Sequence, residues 1–309
     1  MKQLASIMLT ILFLCSPIAV AQDSDSDSIL PPEPNQANPW AFTFETGVEN
    51  RGDGALKNGG DVASNLFHFD LRAIKKMSPD LTVDLKFTYG FEQYDFDGAT
   101  GFGALAPWED IQTIDFSANF QYQATSDWIL FGGPILKVAR ESGSNWEDGI
   151  MGGGFFGATH ILNKNLVLGA GLGAISLIED DARIFPVIVV DWLIIENFRL
   201  NTTNSATRNG VELVYEGFPD WEFGVGFALQ FRRFRLDNTG VAPGGVGEES
   251  VTPLTIRITY QPRDDYRFNL YGGFFSDGEL ELDDAAGNAI SIQDFDDQAY
   301  VGLSISIQF

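Results

Sequence analysis

Residues 113–123, TIDFSANFQYQ, alternate without exception: Ile114, Phe116, Ala118, Phe120 and Tyr122 are apolar, while Thr113, Asp115, Ser117, Asn119, Gln121 and Gln123 are polar. A strict period of two admits an extended strand with one greasy and one wet face, because a helix would scatter the same residues around its surface. The pattern returns in 81–92, with Leu81, Val83, Leu85, Phe87, Tyr89 and Phe91 on one face, and again in 254–261 and 301–309. These runs last roughly 9 to 14 residues. A tilted strand needs roughly 9 to 11 to cross hydrocarbon, whereas strands of soluble sheets most often have about 5 or 6.

Outside the first twenty residues, no apolar stretch is long enough for a membrane helix; the richest candidate, 184–195, is short and broken by Pro186 and Asp191. Lipid tolerates only structures that satisfy all backbone groups internally, so a spanning chain of this kind must be a closed barrel. Closure also removes the unpaired edges that a large open sheet would expose.

The connections alternate as well. Short turns fall at Ser78–Asp80, Thr125–Asp127, Asn163–Asn165, Glu196–Asn197, Phe218–Asp220 and Pro262–Asp265, and a large apolar residue follows each: Leu81, Trp128, Leu166, Phe198, Trp221 or Tyr266. Longer glycine- and acid-rich loops lie between, at 50–61, 95–110, 142–148, 179–183, 201–209, 237–252 and 276–298. Six short turns and seven loops join about fourteen strands, with both termini on the short-turn side. The fold class is therefore all-β: a transmembrane antiparallel up-and-down β-barrel over 40–309, with twelve strands as the fallback where 198–217 is compressed.

At the N-terminus, Lys2, the apolar run Ile7–Ile18 and the small residues Ala19-Val20-Ala21 read as a cleaved signal peptide over 1–21. Leu14 before Cys15 argues against a lipoprotein site, and cleavage would remove this single cysteine, excluding disulfide and thiolate-metal chemistry. Residues 22–39 are acidic and proline-rich and read as a flexible periplasmic leader. The net charge of -24 argues against nucleic acid as a partner.

A signal-like N-terminus, alternating strands and a final strand, YVGLSISIQF, ending on Phe309 together resemble the outer-membrane β-barrel proteins of Gram-negative-type envelopes, among them porin-like families of uncharacterised function. The resemblance implies an integral outer-membrane location, partners in outer-membrane lipid and lipopolysaccharide, and Phe309 as the signal read by the barrel-assembly machinery. It carries over no functional residue, because channels, adhesins and enzymes share these features.

If the apolar faces meet lipid, the opposite parity lines a lumen: Glu45, Asp70, Arg72, Asp84, Lys86, Glu92, Asp115, Lys137, Asp191, Arg199, Glu212, Glu222, Arg232, Arg257 and Arg267. Charges this numerous are too costly on the lipid face. The sequence expectation is a porin-like passive channel for small hydrophilic solutes, with no catalytic residue and no cofactor. The alternatives are a carrier of hydrophobic compounds, and a non-conducting barrel that braces the envelope or binds a surface partner.

Glycines cluster in 149–162 and 166–178, with Gly169, Gly171 and Gly173 on one face; they either smooth the inner wall for an apolar solute or relieve crowding where the wall curves, and the second is favoured. The last loop carries eight acids, Asp277, Glu279, Glu281, Asp283, Asp284, Asp294, Asp296 and Asp297, and no base. It would suit Ca²⁺ or Mg²⁺ but lacks the spacing of a dedicated calcium loop, so a solvated external loop is the plainer reading. His68, on one face with Asp70, and His160, beside a short turn, are the only neutral-pH bases, and no serine-nucleophile motif accompanies them.

Overall fold

The computed structural model describes residues 40–204 and 209–309. The signal and leader segments, 1–39, and the tip of the loop at 205–208 lie outside the described residues. Fifteen strands are present among the described residues: β1 (Trp40–Ala55), β2 (Asp61–Ser78), β3 (Leu81–Asp97), β4 (Asp110–Gln123), β5 (Trp128–Glu141), β6 (Ile150–Asn163), β7 (Leu166–Leu177), β8 (Asp180–Ile195), β9 (Phe198–Asn204), β10 (Asn209–Phe218), β11 (Trp221–Arg235), β12 (Val246–Arg263), β13 (Tyr266–Asp283), β14 (Ala289–Phe295) and β15 (Gln298–Gln308). One short helix, α1 (Gly101–Leu105), and a single 3₁₀ turn, Glu147–Gly149, sit in the long loops. No helix among the described residues is long and apolar enough to cross a membrane.

Strands β1 to β13 pair antiparallel in sequence order, and β15 closes the cylinder between β13 and β1. Fourteen staves therefore form a closed up-and-down barrel, and the compressed span 198–217 supplies two of them, β9 and β10. The seam is sealed to its last residue: Phe42 and Phe309 exchange backbone hydrogen bonds of 2.9 Å each.

Register fixes the two faces. Across β2, β3, β4 and β5, Phe69, Tyr89, Ile114 and Val138 share the outside, while Asp70, Thr88, Asp115 and Lys137 share the inside. The outer face stays exposed and apolar around the wall: Phe67, Phe116, Leu136, Phe156, Leu172, Ile184, Val225, Ile256, Leu270 and Leu303 all project outward. An exposed apolar surface that encircles a molecule is stable only against acyl chains. Aromatic residues gather beside the short turns, where Trp128 stacks on His160 at 4.4 Å and Trp221 meets Tyr260 at a tilt at 4.6 Å, as at a membrane–water interface. The chain is a membrane-spanning barrel of the outer-membrane type.

The strands run past the membrane into what the sequence pattern marks as loops. β12 begins at Val246 and β13 ends at Asp283, and the last loop holds the additional strand β14, paired to the upper end of β13. Above the apolar belt no lipid imposes alternation, so the period-two signal fades while the hydrogen-bonded ladder continues.

Candidate functional site

From Leu229 onward the β11–β12 hairpin leaves the wall. Leu229 and Arg233 carry outward parity, yet both are buried, as are Gln230 and Phe234 of the opposite parity. A strand buried on both faces must lie inside, and this one reaches the far wall: Arg235 of β11 pairs in parallel with Arg140 of β5. The hairpin thus crosses the long-loop mouth.

Buried charge holds it to one side. Arg51 on β1 donates to Glu49 at 3.1 Å and to Glu249 of the hairpin at 3.2 Å, and lies 3.4 Å from Glu92. Arg232 of the hairpin hydrogen-bonds Glu92, Tyr94 and Glu249. On the other side, Arg233 donates to the Ile178 carbonyl at 2.7 Å and to Asp283 at 2.8 Å, and Arg235 donates to the Asp148 carbonyl at 3.1 Å. Trp108 packs edge-on to Phe234 at 5.2 Å and meets Phe96 and Phe102, the latter on α1, so an aromatic cluster roofs the ionic one. The cap lies across the long-loop end of the barrel.

Beneath the cap lies a cavity of about 720 Å³ that continues down to Asp264, Asp265 and Gln308 beside the short turns. All fifteen charged residues singled out by parity stand on its wall: Glu45, Asp70, Arg72, Asp84, Lys86, Glu92, Asp115, Lys137, Asp191, Arg199, Glu212, Glu222, Arg232, Arg257 and Arg267. Most are matched across strands. Arg72 pairs with Asp84 at 2.8 Å, Lys86 with Asp70 at 3.4 Å, and Lys137 with Asp115 at 3.6 Å. Arg257 bridges Glu212 at 2.7 Å and Glu222 at 3.3 Å, and Arg267 adds a second contact to Glu222 at 2.8 Å. The charges form a paired girdle over β1–β5 and from Asp191 on β8 round to β13 rather than two opposed banks.

The girdle is interrupted. Between Lys137 on β5 and Asp191 on β8, the inner wall carries Ile129, Phe131 and Ile135, then Met151, Phe155 and Ile161, then Val167 and Ile175, then Phe185, Val187 and Val189, with Arg183 at the long-loop end lying over the Phe231 ring of the hairpin. Parity did not reveal that this sector carries only one charge, Arg183 near its long-loop end, because a strand that is apolar on both faces loses its alternation. The continuous apolar reading of β8, and the glycine content of β6 and β7, were the available signals.

The glycines belong to this sector. Along one register row, Gly133, Phe155, Gly173 and Phe185 stand side by side on β5 to β8, alternating small and large. A methyl group at Gly173 would lie 2.1 Å from the Phe185 ring, and one at Gly157 would lie 2.4 Å from the Phe131 ring. The rings lie over glycine on the neighbouring strand, so the glycines make room for aromatic lining rather than leaving a bare surface.

His68 faces inward, 3.9 Å from Glu45, with Gly47 beneath its ring; Asp70 turns instead to Lys86 and Thr88 and does not orient it. His160 faces outward in the stack with Trp128. Among the described residues no group of three or more histidine, cysteine, aspartate or glutamate side chains is placed to hold a metal ion. In the last loop, Asp283 pairs inward with Arg233, Asp294 pairs with Lys57 at 2.6 Å, and Asp284 accepts the backbone amides of Ala286 and Asn288.

No family model matches the chain, and no curated protein matches its sequence. Among solved structures, the backbone is similar to an outer membrane channel from Pseudomonas putida F1, at 12% identity over 93% of this chain and 100% of that one, with a TM-score of 0.49. It is also similar to a Pseudomonas aeruginosa FadL homologue, at 9% identity over 87% and 90% with a TM-score of 0.49, and to Pseudomonas putida OprB, at 10% over 87% and 94% with a TM-score of 0.40. Likenesses this shallow say nothing of what this chain carries; its fold stands on its own register and apolar belt.

Proposed function

We propose that the protein is an outer-membrane channel for small amphipathic solutes, held shut in this conformation by the inward-folded β11–β12 hairpin. The observation that carries the reading is the divided lumen: an aromatic and aliphatic sector on β5–β8 facing a girdle of paired charges on the remaining staves. A purely hydrophilic solute gains nothing from the apolar sector, and a purely apolar one pays to displace water from the girdle. A molecule with both parts matches both walls, and a cavity of about 720 Å³ suits a solute of modest size. Phe309 has a separate role in this reading: it completes the seam with Phe42 and presents an exposed aromatic ring for the assembly machinery.

The test is solute flux into liposomes containing the purified barrel, compared for sugars, for amphipathic solutes of the same mass, and for a variant lacking the hairpin tip at 237–245. Faster entry of the amphipathic set, increased further by the deletion, is the expected result. The competing reading, a hydrophilic diffusion pore, draws on the fifteen charged wall residues; entry governed by solute mass alone would favour it and overturn the amphipathic one.

A further inference from the structure

The two borders of the apolar sector share a chemical feature. On the β4 side, Asn119 is 8% exposed and faces the cavity opposite Gly133, and no protein donor reaches its Oδ1. On the β8–β9 side, Asp191 and Asn201 are direct cross-strand partners, and the Oδ1 of each is buried without accepting a hydrogen bond. Arg199 Nε lies 3.4 Å from Asp191 Oδ1, and neither atom makes a hydrogen bond. Buried acceptors without donors are costly and rare, so acceptors flanking one apolar surface on both sides mark what that surface lacks. The missing partner is a donor carried by something that itself rests on the apolar wall.

The charge balance adds its sign. Twelve carboxylates and nine basic side chains line the cavity, and one of the twelve, Glu216, stands one stave beyond Arg199 near the β8–β9 border. A low-dielectric wall beside an acidic excess attracts cations and repels anions.

We infer that the cavity binds a small organic cation: an amine whose aromatic or aliphatic body lies on β5–β8 and whose ammonium hydrogens are accepted by Asn119 on one border or by Asp191 and Asn201 on the other. This rests on the amphipathic-solute reading and names the class of solute. An ammonium offers donors and no acceptor, the complement of the Oδ1 atoms of Asn119, Asp191 and Asn201, while Arg199 Nε keeps its ion pair with Asp191.

The test uses the full barrel in nonionic micelles with three probes of one shape: benzylammonium, benzyl alcohol and benzoate, titrated calorimetrically. Benzylammonium should bind about tenfold tighter than benzyl alcohol, the ratio that one charge-assisted hydrogen bond in place of a neutral one supplies, and benzoate weakest. Equal affinities would show mere partitioning onto the apolar wall and overturn the inference, as would a preference for benzoate. The paired substitutions Asn119→Leu and Asp191→Asn should bring benzylammonium down about tenfold, to the level of benzyl alcohol, and leave the alcohol unchanged. If the double variant fails to fold, as judged by loss of its heat-modifiable gel mobility, the ranking of probes on the wild-type barrel still decides. Liposome flux separates the two levels: amphipathic flux without cation preference removes this inference alone, whereas selective binding without flux removes the channel and keeps the site.

Discussion

Arg235 and Arg140 are parallel β-partners although they stand on β11 and β5, strands that are far apart in the order of the wall. Two arginines sit together there because each has other acceptors: Arg235 reaches the carbonyls of Asp148 and Gly244 and the Glu179 carboxylate, and Arg140 reaches the Ser144 carbonyl and Gln112. Cysteines at both positions should therefore cross-link on mild oxidation, since β-partners fall within the span a disulfide requires. Gel mobility with and without reductant checks this; failure to cross-link would mean that the hairpin does not cross the mouth.

Arg51 is 1% exposed among Glu49, Glu92 and Glu249. Arg51→Met should cost about 3–5 kcal/mol, because it strands buried carboxylates rather than merely deleting a favourable pair. Arg72→Met, at the largely buried pair with Asp84 that borders the cavity, should cost less, because it leaves one carboxylate without its partner where Arg51 leaves several. Urea unfolding from lipid vesicles compares the two, and an equal loss would argue that the cap cluster is wet.

Gly173→Ala should destabilise the barrel by about 1–3 kcal/mol through overpacking against the Phe185 ring. Combined with Phe185→Leu, the loss should be smaller than the sum of the two single losses, because both act on one contact. Additive losses in a double-mutant cycle would separate the glycine from the ring.

Glu281 lies on β13 beyond the apolar belt, directly opposite Glu248 across the ladder. Burial, then Asp283 and Glu248, push its carboxyl from 4.5 up to about 7. Below about 4.5 both folded and unfolded forms hold the proton and the group contributes nothing; between there and about 7 the folded form alone retains it, so stability falls as pH rises through that window and then levels off. Hydrogen exchange at Leu280 and Leu282 should accelerate over this range, and Glu281→Gln should flatten the profile. An unchanged profile in the variant would assign the titration elsewhere.

Ile256 points into lipid, while its neighbour Arg257 points into the lumen. Ile256→Arg should cost about 2–4 kcal/mol if it sits near mid-membrane, measured as folding free energy into vesicles. A neutral outcome would reverse the two faces.

Much of the molecule was legible in the chain. The alternation of 113–123 and its repeats set the strands, their two faces and the charged inner positions, because lipid outside and water inside impose opposite chemistry on successive residues of every membrane-crossing stave. The turn series, from Ser78–Asp80 to Pro262–Asp265, set the stave count because each short reversal leaves a mark in sequence. The sequence could not show that Phe185 lies over Gly173, since the register between β7 and β8 joins residues by pairing rather than by spacing.

What the sequence determined by itself was thus the cylinder: one residue's environment, lipid or lumen, follows from the parity of its position. Only the tertiary structure decided that the cylinder is capped and its lumen divided. Residues 229–235 follow the same arithmetic as any stave, but above the membrane no lipid anchors their outer face, and burial of Leu229, Phe234 and the Arg51–Glu249 pair inside the mouth outcompetes an upright strand exposed to water. That choice depends on partners nearly two hundred residues distant, which no local pattern records.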